Sequence, residues 1–289
     1  MLRDVSEYAL AIRPPVQPQQ IAGEKAGLEQ MMQLTETQLM TWLSGYLWPF
    51  FRIAAFFMVI PVFTARGVPM QIRLVLAAGI TPVIAQIIPA PPVVDLLSVQ
   101  SLLITVNQVV TGIAMAFCLR LLFAVLINAG QITSMGMGLG FAAIADPANG
   151  VQVPVISQFY NLMGMLLFLA FDGHLVAISV LAESFRALPI GGGGIGREGF
   201  WHILAWAGWI FAGALLIALP VVASILVINI SFGIMSKAAP QMNVFAVGFP
   251  ISITLGLALI FAALPNFDFH VKELVDSALL LMRELIGQR

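Results

Sequence analysis

Six long apolar runs dominate this chain, at roughly residues 42–63, 72–91, 99–128, 155–181, 201–235 and 244–265. Each reaches or nearly reaches the ~20 residues that a helix needs to cross a bilayer. With 60% of its 289 residues hydrophobic and 9% charged, the chain has too little polar surface for a water-soluble domain. In hydrocarbon every backbone polar group must be satisfied internally, so such runs are helices. The expected fold class is an all-α integral membrane protein with about six apolar helical blocks, several of them bent or broken.

The bends are written as prolines. Pro49, Pro61, Pro82 and Pro250 fall within or at the ends of blocks, where each removes an intrahelical bond. The fifth block is too long for one straight span, and Pro220 is expected to divide it into 201–219 and 221–235. Residues 1–34 differ in character: Arg3, Asp4, Glu7, Glu24, Lys25 and Glu29 surround a Pro- and Gln-rich centre, which reads as a disordered tail without signal-peptide features. Thr35-Glu-Thr-Gln38 has capping-box spacing and is expected to open the first helix, with Met31 and Met32 offering an alternative start just before it. Residues 35–265 then form the membrane region. Past Pro265, at 266–289, apolar residues alternate at helical spacing with Asp268, Lys272, Glu273, Asp276, Arg283 and Glu284, an amphipathic helix suited to a membrane interface or to a partner chain.

Composition excludes several functions. Net charge is -1 and no Lys/Arg run exists, so nucleic-acid binding is not expected. Cys118 lies alone in an apolar run, and His174, His202 and His270 are too far apart for helical metal spacing, so neither metal nor cofactor is expected. No nucleophile and base, and no carboxylate pair, sit at workable spacing, which argues against an enzyme. A small-molecule or ion transporter would need polar groups at mid-membrane. Asp172, His174 and Asn229 are the thin set of candidates.

Charges within or beside the blocks are few: Arg52, Arg73, Arg120, Asp172, Glu183, Arg186 and Lys237. A charge at the bilayer centre costs ~2.5–3.5 kcal/mol on insertion scales, so each should face protein or water. Arg52 and Arg120 lie deepest and are expected to pair with carboxylates or carbonyls of neighbouring helices, or to snorkel. Asp172-Gly-His174 reads as a structural pair at a helix bend more than as a proton relay. Orientation is ambiguous, because Arg66 and Arg73 oppose Arg186 and Arg197 under simple alternation.

Residues 135–150, Met-Gly-Met-Gly-Leu-Gly-Phe-Ala-Ala-Ile-Ala-Asp-Pro-Ala-Asn-Gly, are apolar yet poorly helical. Such a segment at membrane depth is tolerated inside protein or beside a water-filled cavity. One reading is a loop that enters a pore; the other is a Gly-rich helix face packed on a neighbour.

The chain resembles the FliR/SctT export-gate family of type III secretion. The motifs are Trp48-Pro-Phe-Phe-Arg52 with Pro61, Arg66-Gly-Val-Pro69 leading to Arg73, and Gly138-Leu-Gly-Phe-Ala-Ala-Ile-Ala-Asp-Pro147. Leu167-Phe-Leu-Ala-Phe-Asp-Gly-His174, Leu188-Pro-Ile-Gly191, Ala239-Pro-Gln-Met-Asn243 and Gly248-Phe-Pro250 follow in the same order. The resemblance implies a non-enzymatic subunit of a flagellar protein-export gate in the bacterial inner membrane, at the basal body. Its implied partners are FliP, FliQ and FlhB, with FlhA in the same apparatus, membrane lipid, and unfolded flagellar proteins as cargo. It also implies a helical assembly closed by a plug loop at 135–150, carried by Met135, Met137, Gly138, Gly140, Phe141, Asp146 and Pro147, whose flexible Met, bulky Phe and permissive Gly suit a greasy closure. The related subunit of a virulence injectisome is the nearest alternative.

Overall fold

The structure, a computed structural model, describes residues 18–64, 68–92, 94–95, 98–139, 154–238 and 244–288, with backbone alone for 18–37, 39 and 244–247. These residues form helices α1 (Pro18–Val59), α2 (Pro61–Thr64), α3 (Met70–Ala85), α4 (Val99–Gly136) and α5 (Val155–Ala170). The chain continues with α6 (Gly173–Ala187), α7 (Arg197–Ala207), α8 (Trp209–Ala238) and α9 (Val244–Leu285). No strand occurs among the described residues.

Helix α4 is the centre of the arrangement. Ser98 caps it, its side chain accepting from the Ser101 N–H at 3.2 Å. At ~1.5 Å per residue the helix is about 57 Å long, and α1, α5, α8 and α9 all pack against it. Two glycines set how closely. A Cβ on Gly112 would collide with the Arg52 carbonyl oxygen of α1, and one on Gly130 would collide with the main chain at Ser157 of α5. Small residues at such crossings let backbones touch, the usual way helices associate where lipid removes the hydrophobic drive. Between them Met115, Leu119, Leu122, Val125 and Leu126 fill the core without exposure.

Helices α5 and α6 form a bent pair, turned by 68°. Asp172 sits at the turn with φ 55° and ψ 21°, and its carbonyl accepts from the amides of Leu175 and Val176 to start α6. Gly173 leaves room for the Phe168 ring, which meets Phe123 of α4 edge-on at 5.8 Å. By length and hydropathy the spanning candidates are Met40–Val59, Val99–Gly136, Arg197–Ala238 and Gly248–Leu285, with the bent pair as a fifth. Helix α3, at 16 residues, falls short of a span.

Three boundaries differ from the sequence reading. Pro220 lies inside α8, and the helix break falls instead at Gly208, between α7 and α8. One missing hydrogen bond bends an apolar helix; a full break would expose several backbone groups at once, so the helix continues. Helix α1 begins at Pro18, well before Thr35. Helix α9 runs through both Pro250 and Pro265, so residues beyond 265 extend it rather than forming a separate helix. Of their apolar residues, Val271, Val275, Ala278 and Met282 are buried in this chain's own core, whereas Phe269 and Leu280 are exposed. Trp206 of α7 ties this stretch down, donating from Nε1 to Ser277 Oγ at 2.9 Å, while His202 Nδ1 lies 3.8 Å from Glu284.

Candidate functional site

Two constructions stand out around α4: a buried arginine near its first half and the exit of the chain at its end. Arg52 is 1% exposed. Its Nε donates to Gln108 Oε1 on α4 at 2.8 Å, one terminal nitrogen donates to Ser184 Oγ on α6 at 3.0 Å, and the other donates to the Leu188 carbonyl at 2.9 Å. The guanidinium carbon stands 4.1 Å from the centre of the Phe185 ring. The planar fork thus clasps α1, α4 and the end of α6 through neutral acceptors, with no carboxylate among the described contacts. Gly112 makes this possible, since the α1 main chain at Arg52 rests where a side chain would stand, one turn along α4 from Gln108.

The end of α4 is equally defined. Gly138 adopts φ +85°, its N–H donates to the Met135 carbonyl at 3.0 Å, and the Leu139 N–H donates to the Ser134 carbonyl at 3.0 Å. These two bonds with a left-handed glycine make a Schellman stop. Met137 is fully buried, its side chain lying in the notch left by Gly256 of α9, whereas Met135 is 64% exposed. Phe249 of α9 flanks Gly138. Helix α9 therefore pins the point where the chain leaves α4. Of the residues expected in the loop, Gly140, Phe141, Asp146 and Pro147 lie outside the described residues.

The remaining charges are not gathered into one site. Arg120 is exposed on the outer face of α4, and Lys237 is exposed in the last turn of α8, where a cation suits the helix C-terminus. Asp172 is exposed at the bend and makes no side-chain cap; His174 is half-buried, and no hydrogen bond joins the two. Asn229 belongs to the α8–α9 hairpin, where its Oδ1 accepts from Ser252 Oγ at 3.2 Å. Sequence reasoning missed Gln108, Ser184, Gly112 and Gly256. A glutamine or a glycine inside an apolar run was the available signal, and it does not say which neighbour it serves.

Comparison with known proteins places this architecture. Residues 43–278 match the model of the bacterial export proteins, family 1. The chain belongs to this family. It is 35% identical over 258 residues to the flagellar biosynthetic protein FliR of Escherichia coli (strain K12), covering 89% of this chain and 98% of the relative. The FliR of Aquifex aeolicus (strain VF5) is 33% identical over 234 residues, covering 80% of this chain and 88% of the relative. The surface presentation of antigens protein SpaR of Shigella sonnei is 28% identical over 155 residues, 54% of this chain and 60% of the relative. This FliR family is one of export components and not of enzymes. All the motifs of the sequence reading from Trp48 to Pro250 lie inside the matched region.

Proposed function

We propose that this chain is a structural subunit of the flagellar type III protein export gate in the bacterial inner membrane, at the basal body. With FliP- and FliQ-type subunits it forms the channel for unfolded flagellar proteins, in contact with FlhB and in the same export apparatus as FlhA. The segment that leaves α4 at Met135–Leu139 closes that channel. Met137 and Gly138 fix its stem against α9, and the residues that follow, Gly140 and Phe141 among them, supply the closure. The observation that carries the reading is the near end-to-end similarity to FliR of Escherichia coli, 98% of which is covered. The injectisome alternative has the weaker support, since SpaR is matched over 60% of its length.

The exposed hydrophobics of α8, such as Phe211, Leu226, Val227 and Ile234, fit a subunit finished by neighbours and lipid. A hydrophobic constriction stops ions by dewetting and yields to an unfolded chain. The test is complementation of a motile bacterium lacking its own FliR. The wild-type chain restores filament growth, and a deletion of residues 137–145 leaks ions and impairs growth. Normal membrane levels without any restored export would refute the subunit reading. Unchanged ion permeability in the deletion would refute the closure.

A further inference from the structure

The outward face of α4 carries a cation for which this chain offers no counter-ion among the described residues. Arg120 stands about 32 Å from the start of the helix and about 24 Å from its end. It is exposed and makes no hydrogen bond or ion pair among the described residues. The same face is apolar before it, with Val106, Val110, Ile113 and Phe117 all exposed, and Met135 is exposed beyond it. Alongside, α8 is held to α4 where Gly213 meets Val125, and it exposes Phe211, Leu215 and Leu219 at that level. Apolar surface therefore leads up to Arg120 along α4 and lies on the neighbouring helix α8.

The face is also not featureless around the charge. Gln131 is exposed and Asn128 half-exposed, placing a polar strip of about 16 Å from Arg120 onward. Asn128 donates its amide to the Ala124 carbonyl at 2.8 Å, which leaves its side-chain oxygen to accept from elsewhere. We propose that Arg120, Asn128 and Gln131 form a docking face for a membrane helix of another subunit, one that carries an Asp or Glu opposite Arg120. A carboxylate answers a guanidinium bidentately and neutralises it, which neutral acceptors do not. The proposal rests on the reading of this chain as one subunit of an assembly.

The test uses the full chain in native membrane, with photoreactive benzoylphenylalanine in place of Phe117, one turn from Arg120. The expected product is an adduct with a second subunit whose cross-linked peptide lies within one helical turn of a carboxylate. Arg120→Glu, at equal membrane abundance, lowers that adduct roughly a hundredfold, as breaking a buried pair does. Arg120→Lys keeps most of it. Changing the partner's carboxylate to Lys in the Arg120→Glu background restores it. An adduct with lipid alone, an undiminished adduct in Arg120→Ala, or rescue of Arg120→Glu by Asp146→Lys within this chain would each overturn the proposal. Recovery of the wild-type chain without any other subunit would instead overturn the assembly reading beneath it.

Discussion

Gly112 and Arg52 define a close crossing of α4 and α1: the carbonyl of Arg52 occupies the space that a side chain at position 112 would need. That contact sets the height at which the Arg52 side chain leaves α1, and so lets it reach Gln108, Ser184 and the Leu188 carbonyl together. A Val at 112 forces the helices apart and is expected to destabilise the fold by at least the ~1–3 kcal/mol of ordinary overpacking. Cys118, buried in the same helix and the sole cysteine of the sequence, is the reporter. Its reactivity with a thiol reagent in detergent should rise in Gly112→Val; an unchanged rate would mean that the crossing tolerates separation.

Arg52→Ala orphans buried acceptors at about 1–3 kcal/mol each and is expected to lower the thermal midpoint of Cys118 exposure markedly. Arg52→Lys should recover only part of the loss, because a single ammonium cannot span three acceptors on diverging elements and lie over Phe185 as well. Equal midpoints for Lys and Arg would show that charge alone matters there.

Met137 and Gly256 should be energetically coupled. Gly256→Val fills the notch and expels the Met137 side chain, while Met137→Ala empties it, so the double variant should be less impaired than the sum of the singles by ~0.5–3 kcal/mol. Ion leakage through the assembled gate reads the same coupling if α9 pins the stem. Simple additivity would remove that link.

Asn229 bears on the transporter alternative. Its bond to Ser252 is a hairpin clasp, so Asn229→Ala is expected to cost ~0.6 kcal/mol, the average for such bonds in membrane helices, and to leave filament growth intact. Abolished export at normal membrane abundance would return Asn229 to the transport path.

How far the sequence discloses this protein varies with the kind of signal. Apolar block length located the candidate spans for five of the six blocks, because hydrophobic thickness is a local property of the chain, while block 72–91 yields only the 16-residue α3. Asp172-Gly173 announced a bend, since both residues tolerate what a helix interior penalises. Pro220 misled because a long apolar helix absorbs one lost bond more readily than it breaks. The run after Pro265 looked like a free amphipathic helix, but its apolar stripe is met by α7 and the core, a partnership that no periodicity records. Arg52 and Arg120 were indistinguishable as letters. One finds Gln108 and Ser184 from other helices and the other finds no partner among the described residues, which is a matter of tertiary placement alone.

The most direct test of the central claim is affinity purification of the full chain from native membrane of a flagellated host, followed by mass spectrometric identification of the chains that elute with it. The account predicts co-elution with FliP- and FliQ-type subunits in fixed proportion. Recovery of a stable monomer that supports transport by itself would contradict it.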